Sequence, residues 1–424
     1  MRTQMIRRRF TLEDRATAIW PLVPFEVTPH EEAVEVELDF DRARGVVDLG
    51  CLGADASGEP TLWRGWSGGA RSRFAITRDD ATPGYLPGEV TAGTWAVVLG
   101  LHQLPSDGLE ITVTIRTGAS ARIEEEPAAP TPVEAPRGSA RGLPAAPGLR
   151  WVAGDFHAHT LHSDGALSIR QLTHLAAQEG LDVLAVTDHN TTSHHRHLPG
   201  VGAEYGVHLL PGQEVTTSRG HSNAFGDIGW IDFRTPADDW FSVVAARDGV
   251  ASVNHPLSGD CSWQHPLSTH PGCLEVLHST WLKDRTWTGP WALWPVWGLD
   301  AVPIGGSDFH SPARGDQLAR PTTWLAVDEG ALTNDRVLDA LRLGRTAVSI
   351  GVRAAVLLRT DDELHAIDAD GAVLIDIDGR SRILHGDHVR LRADVVGSSD
   401  GVPGAGRGPY RLETPDREIL ALCS

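Results

Sequence analysis

The sequence predicts an α/β protein, a parallel βα barrel or sheet flanked by β-rich modules, and three observations carry that prediction. From Trp151 onward, apolar runs of strand length alternate with stretches of helical period. On either side, the chain has short runs of alternating polarity broken by Gly, Pro and Asp clusters. Metal-type side chains gather where the apolar runs of the middle region end, which in a βα barrel is the shared mouth.

Taken in order, residues 1–121 hold runs such as Val34–Phe40 and Leu109–Ile115, whose alternation predicts an antiparallel β-sandwich. Residues 122–149 are too rich in Pro, Ala, Gly and charge to build a core and read as a linker. Residues 150–350 form the central domain. Trp151-Val-Ala is its first strand, Ser168 a plausible N-cap for a helix running to Gly180, and Leu181–Thr187 a buried strand. Further strands are predicted at His208-Leu-Leu, Val250–Val253, Leu274–Leu277, Ala301–Ile304 and Thr323–Val327. A helix from Asn334 to Leu343 stops at Gly344, and residues 351–424 read as a small β module with strands at Val356–Leu358, Ala372–Ile377 and Val389–Val395.

A chain of 424 residues with 41% apolar content has room for two or three domains, each with a core. Cys51, Cys261, Cys273 and Cys423 are widely spaced and read as reduced, buried thiols. The basic N-terminus lacks a following apolar core, and no run reaches the ~18 apolar residues of a membrane span. The expectation is a cytoplasmic protein with no membrane partner, its oligomeric state open. A formal charge of −19 argues against a general affinity for nucleic acid, leaving at most a small nucleotide or oligonucleotide as substrate. Lys283 is the only lysine, so positive charge is almost all arginine, which can bind phosphate bidentately.

The segment Gly154–Gly165 carries the chemistry. In a strand, residues i and i+2 share a face, so His157 and His159 can present two imidazoles to one ion, with Asp164 in the loop beyond. Fifteen of the twenty histidines fall between His157 and His310. Asp188-His189 follows the second strand, Glu214 the third and Asn254-His255 a fourth; Glu275 and His278 bracket the end of a fifth, and Asp308-Phe-His310 follows a sixth. Imidazoles with carboxylates suit Zn²⁺, Mn²⁺ or Fe²⁺, and Glu214 has two oxygens with which to bridge ions. Two ions ~3.5–4 Å apart would generate hydroxide at neutral pH and stabilise a leaving oxygen.

In order, His157-x-His159 with Ser163-Asp164-Gly165, Thr187-Asp188-His189-Asn190, Gly212-Gln-Glu214, Gly220-His221-Ser-Asn, Asn254-His255-Pro256 and Gly306-Ser307-Asp308-Phe-His310 resemble the PHP (polymerase and histidinol phosphatase) metallohydrolase superfamily. Within it the chain is similar to the carbaryl hydrolase-like (CehA/McbA) branch. The resemblance covers roughly Arg150 to Gly351 and implies a distorted seven-stranded (βα) barrel with two or three divalent ions. It implies that His157, His159, Glu214 and Asp308 hold one ion, Glu214, His221 and His255 a second, and Asp164, His189 and His310 a third. A metal-bridging hydroxide would attack the substrate. Where many relatives read Glu-x-Trp-Asn, this chain reads Glu275-Val-Leu-His278, adding a histidine near the mouth.

Each assignment has a plainer rival. Asp188 could ligate, orient His189 or cap a turn. His278 could touch substrate, protonate the leaving group or lie on the surface. His162, His194, His195 and His197 are expected on solvent-exposed loops. Arg219 and Arg314 read as surface charge before phosphate ligands. Trp291, Trp294 and Trp297 recur at helical spacing and are expected to pack one helix, with Trp281 kept as a pocket wall. The resulting expectation is a metal-dependent phosphoesterase acting on a small phosphomonoester or nucleotide, with Glu214, His278 and Asp188 as candidate catalytic groups. The alternative is a hydrolase of carbamates, amides or carboxylic esters; a non-enzymatic binding protein is the remaining reading.

Overall fold

The computed structural model describes residues 1–396 and 408–424, so residues 397–407 of the predicted C-terminal module lie outside the described residues. The protein is a mixed α/β molecule with large sheets, and it divides into two compact units. The first joins Met1–Ala128 with His159–Ser168 and Asp188–Arg196; the second comprises Ala129–Ala158, Ile169–Thr187 and His197–Ser424.

The first unit has eight strands, β1 (Arg2–Phe10), β2 (Leu22–Val27), β3 (Ala33–Phe40), β4 (Val46–Ala54), β5 (Pro60–Gly68), β6 (Arg73–Thr77), β7 (Gly93–Gln103) and β8 (Leu109–Gly118), with the short helix α1 (Leu12–Thr17) after β1. They form two four-stranded sheets, ordered β1-β8-β3-β6 and β2-β7-β4-β5, antiparallel throughout. The polar alternation decides which side is buried. In β2, Val23, Phe25 and Val27 point inward while Leu22, Pro24 and Glu26 stay exposed. Those residues share one core with Leu49, Trp95 and Val97 of their own sheet and Val36, Phe74, Ile111 and Ile115 of the other. At roughly 1.5–3 kcal/mol for each large apolar side chain buried, that core is the main stabilising term of the unit.

His102 on β7 pairs with Asp48 on β4. Burial alone would lower the His102 pKa, but the hydrogen bond and charge of Asp48 outweigh it and raise the value above its ordinary one. A raised folded-state pKa contributes stability below the unfolded value of about 6.5 and loses it as pH climbs through the folded value. The stability gap between wild type and His102→Gln should therefore be widest at pH 5.5 and shrink by pH 8.5. Urea unfolding at both pH values checks this, and an equal gap at both would count against the pair.

The second unit begins with β9 (Leu149–Asp155), α2 (Ile169–Glu179), β10 (Val183–Val186), α3 (Leu198–Tyr205), β11 (His208–Thr217), β12 (Gly220–Phe225), α4 (Ala237–Ala246) and β13 (Val250–Val253). It continues with β14 (Cys273–His278), α5 (Gly289–Trp297), β15 (Val302–Gly306), β16 (Thr322–Asp328), α6 (Asn334–Arg342) and β17 (Thr346–Ser349). Beyond lie β18 (Val356–Thr360), β19 (Glu363–Ile367), β20 (Val373–Ile375), β21 (Ser381–Ile383), β22 (His388–Arg392), β23 (Tyr410–Glu413) and β24 (Ile419–Cys423). Among the described residues one thirteen-stranded sheet runs β15-β14-β13-β12-β11-β10-β9-β16-β17-β24-β23-β20-β21, and β18-β19-β22 form a separate sheet.

Two features depart from a regular parallel barrel. The strand β12, absent from the sequence expectation, returns antiparallel between β11 and β13 after the tight turn at Gly220, whose φ is +123°. The sheet order is also open. Among the described residues no backbone ladder joins β15 to β16; instead the Thr323 hydroxyl of β16 accepts from Gly305 N at 2.7 Å and donates to Gly305 O at 2.9 Å. Thr346 of β17 likewise donates to Pro303 O at 2.8 Å. Pro303 has no N–H to offer a ladder, so side chains bridge that edge.

Part of the stretch read as a linker is fastened to the second unit. Arg137 donates to Ala177 O (2.8 Å) and Tyr205 O (2.9 Å), and Ser139 N donates to the Asp182 carboxylate at 2.9 Å. Gly138 lies so close to Ala153 that a Cβ would collide with it and crowd Trp324. On α5, Trp294 is buried, while Trp291 and Trp297 pack half-buried around it, in keeping with a packing helix. Cys51, Cys273 and Cys423 are buried, and burial pushes each thiol up to about 12; Cys261, expected to be buried, is half-exposed. No helix among the described residues is long and apolar enough to cross a membrane.

Candidate metal centre

In the second unit the chain direction explains where the donors stand. Strands β9, β10 and β11 are parallel, as are β13, β14 and β15, and β12 runs the other way, so its first residues lie at the edge where β11 and β13 end. His157 and His255 fall two residues beyond β9 and β13, His278 ends β14, Asp308 lies two residues past β15, and His221 is the second residue of β12. Glu214, expected just after its strand, lies inside β11, because pairing with β12 extends that strand to Thr217. Glu214 faces Asn223 and Thr216 faces His221, which makes Glu214 and His221 diagonal neighbours on one face.

These donors converge on one atom. Glu214 Oε1 lies 3.0 Å from His157 Nε2, 3.2 Å from His221 Nδ1, 3.3 Å from His255 Nε2 and 2.9 Å from Asn254 Nδ2. Asp308 Oδ1 is 3.2 Å from the same His157 nitrogen. His157, His255 and Glu214 are essentially inaccessible. Burial would lower the His157 pKa, yet Glu214, Asp308 and Glu275 together drive it well above normal. For His255, burial again opposes, and Cys261 and Glu214 push the value up.

A carboxylate cannot donate a proton when ionised, so Glu275 Oε1, 3.1 Å from His157 Nδ1, fixes the proton on that nitrogen and turns Nε2 toward Glu214 and Asp308. The other Glu275 oxygen accepts from His255 N at 2.6 Å. Asp155, buried at the end of β9, accepts from His157 N (3.2 Å), Ser307 N (3.1 Å) and Ala319 N (2.8 Å), tying the His157 and Asp308 loops together. Burial raises its pKa against the pull of those hydrogen bonds. Asp308 (φ +51°) and His255 (φ +27°) sit in the left-handed region, a strain that surrounding contacts must hold. His310 Nδ1 lies 2.8 Å from Asp308 O, and since a carbonyl only accepts, Nδ1 carries the proton of the neutral ring and Nε2 is its basic nitrogen.

His278 is buried, with Thr280 N donating to its Nδ1 at 3.3 Å. An acceptor Nδ1 puts the neutral ring's proton on Nε2, which lies 3.6 Å from Asp308 Oδ2. Trp281 is buried beside it, ring centroids 5.9 Å apart. Arg219 is exposed and donates to Gln264 O, and Arg314 is exposed on the turn at Pro312–Arg314.

The first unit holds His159, Asp164, His189 and Asp188. The His159 and His189 rings stack with centroids 4.3 Å apart, and His189 Nε2 is 3.4 Å from Asp164 Oδ1. Asp188 is buried and accepts from Thr160 N (2.8 Å), Thr160 Oγ1 (2.7 Å) and Ser163 Oγ (2.6 Å), with His194 Nδ1 at 3.3 Å. Those bonds order the turn that carries Asp164. His162 and His194, expected in solvent, are buried instead; His162 Nδ1 meets Ser193 Oγ at 2.7 Å. Their loops fold back on each other, which a string of polar residues does not announce; His195 and His197 are half-exposed.

Sequence reasoning thus missed Asp155, and although it singled out Asn254 and Glu275 at strand ends, nothing local says that Asn254 bonds Glu214 or that Glu275 turns toward His157.

No family model matches the chain. Over 64 residues, 15% of its length, it is 38% identical to a 5'-3' exoribonuclease of Haemophilus influenzae, of which it spans 23%. Among solved structures it is similar to a two-domain protein of Bacteroides vulgatus containing a predicted PHP-like metal-dependent phosphoesterase, with 18% identity, 70% of this chain and 99% of that chain covered, and a TM-score of 0.41. It is also similar to an amidohydrolase of Chromobacterium violaceum, with 15% identity, 44% and 96% covered, and a TM-score of 0.31.

Proposed function

We infer that the protein is a metal-dependent hydrolase, a phosphoesterase of PHP type acting on a small phosphomonoester or nucleotide. The observation that carries this is the convergence of His157, His221, His255 and Asn254 on a single Glu214 oxygen, with Asp308 beside it. Three imidazoles and two carboxylates, with His157, His255 and Glu214 closed to water and His221 and Asp308 partly open to it, make a set of N/O donors that fits Zn²⁺, Mn²⁺ or Fe²⁺. His157, Glu214, His221, His255 and Asp308 would hold ions in the second unit, with His310 a further donor there. His159, Asp164 and His189 are the donors of the first unit. When bound, such ions supply a water of lowered pKa and neutralise charge developing on phosphoryl oxygens.

The chain's own groups do the rest. Glu275 holds the His157 proton on Nδ1, leaving the lone pair of Nε2 toward Glu214 and Asp308, where an ion would be held. Thr280 keeps the His278 proton on Nε2, where it can donate to a substrate oxygen. Trp281 packs, buried, beside that ring.

Trp281 also favours a second reading, an aryl carbamate or ester substrate whose ring packs against the indole. Protein loaded with Mn²⁺ or Zn²⁺ should hydrolyse p-nitrophenyl phosphate or a nucleotide faster than bis-p-nitrophenyl phosphate or an aryl carbamate. Carbamate turnover exceeding that of every phosphoester would select the second reading. No hydrolysis by any loaded sample would sink both.

A further inference from the structure

We propose that the N-terminal sheets belong to the hydrolytic machinery, with Arg71 a positioning residue that, together with Gly84, clamps the two loops carrying His159, Asp164 and His189. This rests on the metallohydrolase reading above. Arg71 lies in the turn between β5 and β6, half-buried. A solvent arginine pairs with carboxylates or water. This one donates to Leu161 O at 2.6 Å and Ser163 O at 3.1 Å, about ninety residues away in the chain. A planar guanidinium can hold two carbonyls two residues apart in one fixed geometry.

Those carbonyls flank the tightest part of the loop, where Ser163 N and Gly165 N both donate to Thr160 O at 3.0 Å. Asp164 lies inside that turn. Gly84, between β6 and β7, grips the second loop: its N–H donates to Ser193 Oγ at 3.1 Å and its carbonyl accepts from Thr191 Oγ1 at 2.8 Å. Its φ of +101° and the nearness of Trp66 O (2.7 Å) and His162 O (2.9 Å) to any Cβ reserve the position for glycine. Asp188 then joins the loops by accepting from Thr160 and Ser163. The 4.3 Å stacking of His159 on His189 and the 3.4 Å approach of Asp164 are thus set from the β module.

The test compares wild type, Arg71→Met, Arg71→Lys and Arg73→Ala, each stripped of metal and titrated with Mn²⁺ by electron paramagnetic resonance, then assayed with p-nitrophenyl phosphate. Methionine keeps the apolar stem and loses the donors. Arg71→Met should bind Mn²⁺ about 10–100-fold more weakly at one class of site and lose kcat by a similar factor, with KM nearly unchanged. Arg71→Lys should recover part of both, because an ammonium holds one carbonyl but not the fork. Arg73→Ala, which loses only a pairing to Glu35, should match wild type. Should Arg71→Met fail to fold, Ser193→Ala leaves Arg71 in place, removes the acceptor of the Gly84 N–H together with the contact to His162 Nδ1, and should shift Mn²⁺ affinity the same way. Wild-type Mn²⁺ affinity and kcat in Arg71→Met, or in Ser193→Ala where Arg71→Met is unfolded, would overturn the clamp while leaving the metallohydrolase reading intact. Wild-type protein that neither binds Mn²⁺ nor hydrolyses substrate would overturn that reading itself.

Discussion

Asp308→Asn should lose metal and slow hydrolysis at least ~10³-fold, about 4 kcal/mol of barrier at 1.36 kcal/mol per tenfold. Asparagine keeps the shape of the side chain and tolerates the left-handed backbone at this position, so the charge is what the substitution removes. That charge faces His157 Nε2 at 3.2 Å and His278 Nε2 at 3.6 Å, two nitrogens with little access to solvent. The fold should survive, since the neighbouring Ser307 anchors the loop, its N–H donating to Asp155 and its hydroxyl to His157 O. His157→Ala should abolish activity to the same degree. Metal content by plasma mass spectrometry and rates on purified protein decide the matter; full turnover in either variant would sink the site.

Gly306→Ala should be nearly as damaging to activity although it changes one methyl group and no ligand. A Cβ at this position collides with Glu275 Oε1 and stands 2.5 Å from His157 Cβ. Neither neighbour can yield cheaply. Glu275 is pinned at both oxygens, by His157 Nδ1 and by His255 N, and His157 is enclosed. Overpacking of this kind costs about 1–3 kcal/mol of stability, and displacing the carboxylate that orients a ligand costs a further ~10–100-fold in metal affinity. Thermal unfolding and a metal titration on the same sample separate the two effects. An active variant with a merely lowered midpoint would show that Glu275 does not need its present position.

Much of this was legible in the chain because strands announce themselves by apolar runs and their ends by a change to polar residues. Val250–Val253 is a strand with those very limits, and the helix after Ser168 ends at Glu179, one residue short of the expected Gly180. What stayed hidden was decided by contacts distant in sequence. The strand β12 reads as a polar motif, Gly220-His221-Ser-Asn, and becomes a strand only because β11 and β13 flank it. Glu275 looks like one more charged residue at a strand's edge until its 118-residue separation from His157 is closed. His162 and His194 carry no local sign of burial, since the groups that cover them come from loops folding back. The open sheet order is likewise invisible in any one segment: among the described residues no backbone ladder joins β15 to β16, and the hydroxyls of Thr323 and Thr346 bridge that edge instead.

The division into units also bears on heredity. The first unit draws residues from Met1–Ala128, His159–Ser168 and Asp188–Arg196, so the chain passes repeatedly from one unit to the other. A module attached at one end of a gene can be shuffled, duplicated or deleted by a single crossover. Here no single crossover parts the two units cleanly, because the segments bearing His159 and His189 are coded within the other unit. A cut anywhere in the gene therefore leaves part of one unit with the other, and the early strands stay coded apart from two of the loops they pack against.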